Sequence, residues 1–360
     1  MRFPALLLML FALVDAACAD PVFKVGVTTR DFVPPEPYDW RGANTHALRA
    51  TIWYPAAADA QEKPQWIGPR FVPLFSAGSA APDAAPAAGT RHPLILLSHG
   101  NGDMAASLGW LGTAFAAHGF IAVAINHPGN NVLEDYTVEG FSLWWLRAVD
   151  LGAVIDAMLD DKTFASQIDP ARIGAAGHSL GGYTVIEAAG GVTNPELLQE
   201  FCRSPAADAS CKPRPPQPEM RRKTLVRLSS DPDFRQRYGK AGNSYRDARI
   251  RAVFAMAPGP GHVFSAESLE NISIPVAIVA GSADEIVPPA AAAEAYAKAI
   301  PHATLKLFEH AGHFIFVRSC TFVGRVIFRD TCIDPDGSDR DAVHAETVKQ
   351  ALDFFTEHLR

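Results

Sequence analysis

The sequence predicts an α/β protein with a mostly parallel central sheet, helices on both faces and an insertion above the sheet. Three observations carry this reading. Fully apolar runs of strand length recur from Leu94 onward, and helical stretches alternate with them. A serine bracketed by glycines, Gly177-His178-Ser179-Leu180-Gly181, stands where one such run ends.

The elements follow in order. Residues 23–27 and 47–54 (ALRATIWY) alternate apolar and polar side chains, as half-buried antiparallel strands do. Residues 56–93 turn rich in Ala, Pro and Gly (AAADAQEKP, SAGSAAPDAAPAAG) and read as a surface excursion, not a second domain. Residues 94–98 (LILLS) are a buried strand, 104–118 a helix stopped by Gly119, and 120–125 (FIAVAI) the next strand. One long helix is expected over 142–159, a strand over 172–176 and a helix over 180–189. This order means a parallel sheet with right-handed crossovers. The alternation breaks over 193–249, which holds two cysteines, PRPPQP and a basic cluster, Arg221-Arg222-Lys223. An insertion or cap is expected there, its basic cluster a solvated face or, alternatively, an anion site. Alternation resumes with strands at 250–255 and 275–280, a helix at 289–300, a strand at 304–308 and an amphipathic helix at 341–358.

Composition and the first residues bound the setting. A 48% apolar chain of 360 residues can bury a substantial core, and a net charge of −7 with scattered acids and bases argues against a nucleic-acid partner. Met1-Arg2, the apolar run 5–14 (ALLLMLFALV) and Ala17-Cys18-Ala19 have the order of a signal peptide over 1–19, leaving a domain over 20–360. The run is too short to span a bilayer. Cys18 also suits a lipidated cysteine, but Asp15 stands where such signals carry an aliphatic residue. Export to the periplasm or the medium is the expectation. Four cysteines would remain: Cys202, Cys211, Cys320 and Cys332. Pairing Cys202 with Cys211 and Cys320 with Cys332 is favoured among three connectivities; reduced, buried thiols are the alternative.

The chemistry centres on Ser179. A sharp strand-to-helix turn lifts its hydroxyl above the carboxyl edge of the sheet, and a hydroxyl needs a base that is itself oriented by an acid. Asp284 lies in the turn after 276–280 (VAIVA), and His313 in the loop after the strand at 304–308, in EHAGHF. The order serine, acid, histidine makes them the candidate triad. Glu285 is the rival acid and His310 the rival base; with no H-E-x-x-H or clustered carboxylate nearby, no metal is expected. His178 reads as a structural hydrogen-bonding residue. Oxyanion donors are assigned to the backbone N–H groups of Leu180 and of Asn101, in Ser98-His99-Gly100-Asn101-Gly102. His99 reads as structural, while His127 suits either a pocket wall or a turn. Phe141, Trp144 and Trp145 suit an acyl wall or, at helical spacing, a core.

HPLILLSHGNGDMAASLGWLGTAFAAHGFIAVAINHPGN, GHSLGG and GSADEIVP followed by HAGHF together resemble bacterial predicted dienelactone hydrolases related to platelet-activating factor acetylhydrolase. The opening strands (FKVGVTTRDF, LRATIWYPA) resemble that family too. The resemblance implies an α/β-hydrolase fold and a serine hydrolase acting on small-molecule esters, without a cofactor. Two departures qualify it. Dienelactone hydrolases use cysteine where Ser179 stands. The animal acetylhydrolases carry their acid one strand earlier, where this chain has Ala255-Met256-Ala257-Pro258. The first weakens dienelactone as substrate; the second strengthens Asp284 and weakens transfer of the acetylhydrolase substrate. An amidase, peptidase or acyltransferase would use the same triad, and a non-catalytic binding protein would be expected to have lost a member of it. Segments 193–249 and 319–339 are expected to roof the pocket.

Overall fold

The computed structural model describes residues 23–212, 214 and 216–360; the expected signal peptide lies outside the described residues. The chain opens with β1 (Lys24–Phe32) and β2 (Leu48–Ala56), an antiparallel pair in register from Lys24 opposite Ala56 to Phe32 opposite Leu48. The stretch expected to be a surface excursion instead contributes two strands, β3 (Lys63–Ile67) and β4 (Phe75–Pro82). β4 runs parallel to β1 and antiparallel to β3. SAGSAAP conceals a strand because it has almost none of the branched or aromatic side chains that mark one. Its position demands small residues: helix α1 (Gly109–Ala117) lies so close that a Cβ on Gly109 would sit 2.6 Å from the Ala77 carbonyl oxygen.

The parallel unit then runs through β5 (His92–Ser98), α1, β6 (Ile121–Ile125), α2 (Val138–Ser142), α3 (Leu146–Asp160), β7 (Ile168–His178) and α4 (Leu180–Ala189). The single helix expected over 142–159 is broken at residues 143–145. Leu143 and Trp145 both bury against Phe234 and Ala241 of the insertion. Residues two apart point to opposite sides of a continuous helix, so only a break lets both reach one cluster.

The insertion carries α5 (Pro195–Arg203), α6 (Gln217–Ser230) and α7 (Pro232–Tyr238). The sheet resumes with β8 (Ile250–Met256), α8 (Ala266–Glu270), β9 (Val276–Gly281), α9 (Ala293–Ala299) and β10 (Thr304–Phe308). A two-residue strand β11 (Ser319–Cys320), α10 (Phe322–Ile327), α11 (Arg329–Cys332) and α12 (Arg340–His358) complete the chain. Disulfides join Cys202 to Cys211 and Cys320 to Cys332, the pairing favoured from sequence.

Among the described residues the strands form one sheet ordered β10-β9-β8-β7-β5-β6-β2-β1-β4-β11, with β3 on β4. From β6 through β5 and β7 to β10 every pairing is parallel. Strand side chains alternate between two cores. Leu94 and Leu96 of β5 join Leu151, Ile155 and Tyr183 of α3 and α4, while Ile95 and Leu97 join Phe115 and Phe355 of α1 and α12. Cover on both faces is why these strands read as unbroken apolar runs. β6 and β7 flank β5 on opposite sides, so the chain direction across the sheet switches there and a crevice opens at the carboxyl ends of β5 and β7.

Phe355 is fully buried and meets Phe115 at 5.6 Å between ring centroids. Phe355→Ala is expected to lower unfolding stability by about 3–5 kcal/mol, read as a reduced urea midpoint at unchanged slope.

Candidate active site

Ser179 sits between the last residue of β7 and the first of α4, with φ 56° and ψ −119°. A non-glycine residue in this region costs on the order of 1–3 kcal/mol, so neighbouring structure must enforce it. Its N–H donates to the Met256 carbonyl at 2.9 Å, and its own carbonyl accepts from Tyr183 and Gly259, both at 3.0 Å. The flanking glycines are steric necessities. A Cβ on Gly177 would lie 2.3 Å from the Gly181 carbonyl oxygen, and one on Gly181 only 1.8 Å from that of Ser98.

His313 and Asp284 complete a hydrogen-bonded chain. His313 Nε2 is 2.8 Å from Ser179 Oγ, and His313 Nδ1 is 2.6 Å from Asp284 Oδ2. The other carboxylate oxygen accepts from the N–H groups of Ile286 at 2.9 Å and Val287 at 2.8 Å. Burial alone would raise the Asp284 pKa, but the His313 charge and these hydrogen bonds outweigh it and hold the carboxyl below its usual range. An ionised Asp284 keeps the proton on Nδ1, leaving Nε2 to accept from the serine hydroxyl. Asp284 and His313 are buried, whereas Glu285 and His310 are exposed; His310 is held locally, its N–H donating to Ser282 Oγ at 2.9 Å.

His178 anchors this arrangement, in the structural role read from sequence. Its Nε2–H donates to the His313 carbonyl at 3.0 Å. Burial, then the neighbouring His313, pushes its pKa down to about 3, so the ring stays neutral and its hydrogen bond persists.

On the opposite side of Ser179, the loop after β5 presents Asn101. The Asn101 side-chain oxygen accepts from Asn130 Nδ2 at 3.0 Å and from the Tyr136 hydroxyl, which pins the loop. Among the described residues, no backbone carbonyl takes the N–H of Asn101 or of Leu180. Both residues line the same cavity as Ser179.

Beneath this loop lies a second serine–histidine–aspartate chain. Ser98 Oγ is 2.9 Å from His127 Nε2, and His127 Nδ1 is 2.7 Å from Asp150 Oδ2. Arg41 clasps both Asp150 oxygens at 2.9 and 2.8 Å, while Arg147 reaches Ser98 Oγ at 3.3 Å, the His99 carbonyl and Asn130 Oδ1. Ser98, His99 and His127 are wholly buried, and Asp150 with them. The group therefore braces the loop and is shut off from solvent. Of the two roles open to His127 the structure takes the turn; it brings His99 in as a further brace, its Nε2 accepting from the His127 N–H at 3.2 Å. Arg41, Arg147, Asp150 and Tyr136 escaped the sequence reading. A signal existed: Arg147 and Asp150 fall on the apolar face of a helix, where a charge must be paired.

The cavity holds about 530 Å³, within the ordinary range for a small-molecule site. Phe141 and Trp144 line it, whereas Trp145 lies in the core. α5 and α6 supply the facing wall. Segment 319–339, expected to roof the pocket, lines none of it among the described residues. After His313 the chain is drawn to the far sheet edge, where β11 pairs with β4 and Arg318 pairs with Asp103.

Residues 89–318 match the family described as serine aminopeptidase, S33 (Hydrolase_4). The chain belongs to this S33 family. Lipase 1 of Moraxella sp. (strain TA144) is 38% identical over 76 residues, 21% of this S33 chain and 21% of that protein. Platelet-activating factor acetylhydrolase of Cavia porcellus is 25% identical over 139 residues, 28% of this chain and 32% of that one. The matches thus span about a fifth to a third of these relatives' lengths. A solved ferulic acid esterase from Streptomyces cinnamoneus superposes with a TM-score of 0.61 at 20% identity, covering 96% of this chain and 92% of that one. This S33 member has the α/β-hydrolase fold.

Burial also sets an acid limit on the site. His178 and His344 are held down to about 3 and about 4 by desolvation, and His99 and His127 lie well below the ordinary 6.5. The unfolded chain takes up these protons near pH 6.5 and the folded one does not, so stability falls as pH drops from about 7 towards 4. Each such imidazole adds to that fall in the same direction. Urea midpoints at pH 7.5 and pH 5 are expected to differ strongly, with the lower value at pH 5.

Proposed function

We propose that this protein is an exported serine hydrolase that cleaves carboxylic esters through an acyl-enzyme, with Ser179 as nucleophile, His313 as base and Asp284 as orienting acid. The observation that carries the reading is the continuous hydrogen-bonded path from Ser179 Oγ through His313 to Asp284 at the floor of a cavity. Ser179 Oγ attacks the carbonyl carbon as His313 Nε2 takes its proton. The resulting oxyanion is held by the N–H groups of Leu180 and Asn101. His313 returns the proton to the departing alkoxide, leaving the acyl group on Ser179. Water, deprotonated by His313, attacks the acyl carbon; the bond to Ser179 Oγ breaks, the acid leaves, and His313 returns the proton to Oγ.

Ester substrates are supported by relatives whose names, a lipase and an acetylhydrolase, refer to ester chemistry. The finer likeness to predicted dienelactone hydrolases belongs to the same proposal, with Ser179 in place of the cysteine. Export of a chain whose signal occupies residues 1–19 is supported by two disulfides, which persist in oxidising compartments. The insertion serves in this reading as a cap over the site.

A peptidase is the second reading, favoured by the family's description. An aminopeptidase must hold a substrate ammonium, for which a carboxylate is the fitting partner. Among the described residues that line the cavity, none is acidic. Ester cleavage accords better with that lining.

Ser179→Ala is expected to lower turnover of a short p-nitrophenyl ester by about 10⁴–10⁶-fold, and Asp284→Asn by about 10⁴-fold, with circular dichroism unchanged. Wild-type rates in Ser179→Ala would refute the assignment. Faster cleavage of the matching p-nitroanilide than of the ester would favour the peptidase.

A further inference from the structure

Two of the insertion's three helices, α5 and α6, each turn one stripe to the cavity. From α5 come Pro195, Leu198, Gln199, Cys202 and Arg203; from α6 come Gln217, Arg221, Thr224, Leu225 and Leu228. Both sets follow helical spacing, so the wall is built from whole helix faces. Arg221 lies on the inner stripe, whereas its sequence neighbours Arg222 and Lys223 do not line the cavity. The basic cluster is therefore divided: Lys223 pairs with Glu219 at 2.8 Å outside, and Arg221 faces in.

Three more cations share the cavity with Arg221. Arg203 and Lys212 each directly follow a half-cystine of the Cys202–Cys211 disulfide, and Arg214 lies two residues beyond Lys212. Among the described residues none of these four makes an ion pair. Two of the insertion's arginines that do not line the cavity are paired. Arg227 pairs with Glu139 at 2.9 Å and with Asp231 at 2.9 Å; Arg237 pairs with Asp39 at 2.6 Å. Arg222 and Arg235, outside the cavity, are likewise without an ion pair among the described residues, so what sets the four apart is that they share one cavity whose described lining holds no acidic residue. Burial lowers the pKa of Arg221 with no carboxylate acting against it. A desolvated cation facing a cavity is favourable only when something there is negative.

We propose that the bound substrate supplies that anion: the enzyme selects esters bearing a carboxylate or another oxyanion remote from the scissile bond, held by Arg221 and Arg214 with Arg203 and Lys212 around them. This rests on the reading of Ser179 as an ester-cleaving nucleophile and adds the class of ester. Arginine forks suit an oxyanion, and the Cys202–Cys211 bridge fixes the two cations that follow it.

The test compares charged and uncharged partners on the purified protein. Monomethyl succinate, adipate, suberate and sebacate are set against methyl butyrate, hexanoate, octanoate and decanoate, with released acid measured by chromatography. A second pair, the acetate ester of para-hydroxybenzoate against phenyl acetate, puts the charge on the alcohol side. In at least one pair kcat/KM for the anionic ester is expected to exceed that of its neutral partner by about tenfold, mainly through KM, with the advantage shrinking in molar salt. Arg221→Gln and Arg214→Gln should bring the ratio towards one, while Arg222→Gln should preserve it. Neutral esters cleaved with no anionic advantage in any pair would overturn this inference and leave the ester reading standing. An advantage that survives both pocket substitutions would overturn it as well. If no ester of either kind is cleaved, the ester reading fails and the inference falls with it.

Discussion

The space between helix α4 and the end of β5 admits only a hydrogen on Gly181. A Cβ there would lie 1.8 Å from the Ser98 carbonyl oxygen, far inside van der Waals contact. This one approach locks the turn bearing Ser179 against the loop bearing Asn101. It brings the serine hydroxyl and both candidate oxyanion donors to one cavity, and it holds Ser179 at φ 56°. The strained backbone is maintained from three sides, through hydrogen bonds to β8, to α4 and to Gly259. Everything proposed for the site presumes that geometry.

The two serine–histidine–aspartate chains show what residue identity leaves undecided. Ser179 and Ser98 have the same kinds of partners at similar distances. Ser98 is wholly buried, and Arg147 and Arg41 bind its neighbours into a charged knot inside the protein. Ser179 opens onto a cavity of about 530 Å³. Access, not composition, separates a brace from a nucleophile. The knot has its own use: isolated buried charges would be costly, but arranged as two arginines around one carboxylate they hold the loop beside the cavity.

The insertion contributes a wall of different character from the sheet edge. β5, β7 and β9 present backbone turns set by close approaches, whereas α5 and α6 present helix faces whose side chains meet the cavity. A scaffold can keep the first and vary the second, so the reaction and the choice of substrate are carried by separate parts of the chain.

The parallel strands, helix α4, the disulfide pairing and the candidate triad order were legible because each follows from local physics: unbroken apolar runs, glycines bracketing a serine, an acid and a histidine after successive strands. Strand β4 was not, because its alanines, glycine and serines serve a close helix contact and carry no strand signature. Nor was the break between α2 and α3, made by Leu143 and Trp145 turning to a cluster distant in sequence. Which of Arg221, Arg222 and Lys223 would face the cavity depended on the rotation of α6 against α2, and 319–339 left the pocket because β11 found its partner in β4. Sequence determined these chemical groups and their order along the strands, since period and turn chemistry are properties of neighbouring residues. Only tertiary structure decided which serine met open space and which charges went unpaired, because burial and pairing are relations between segments that the chain brings together last.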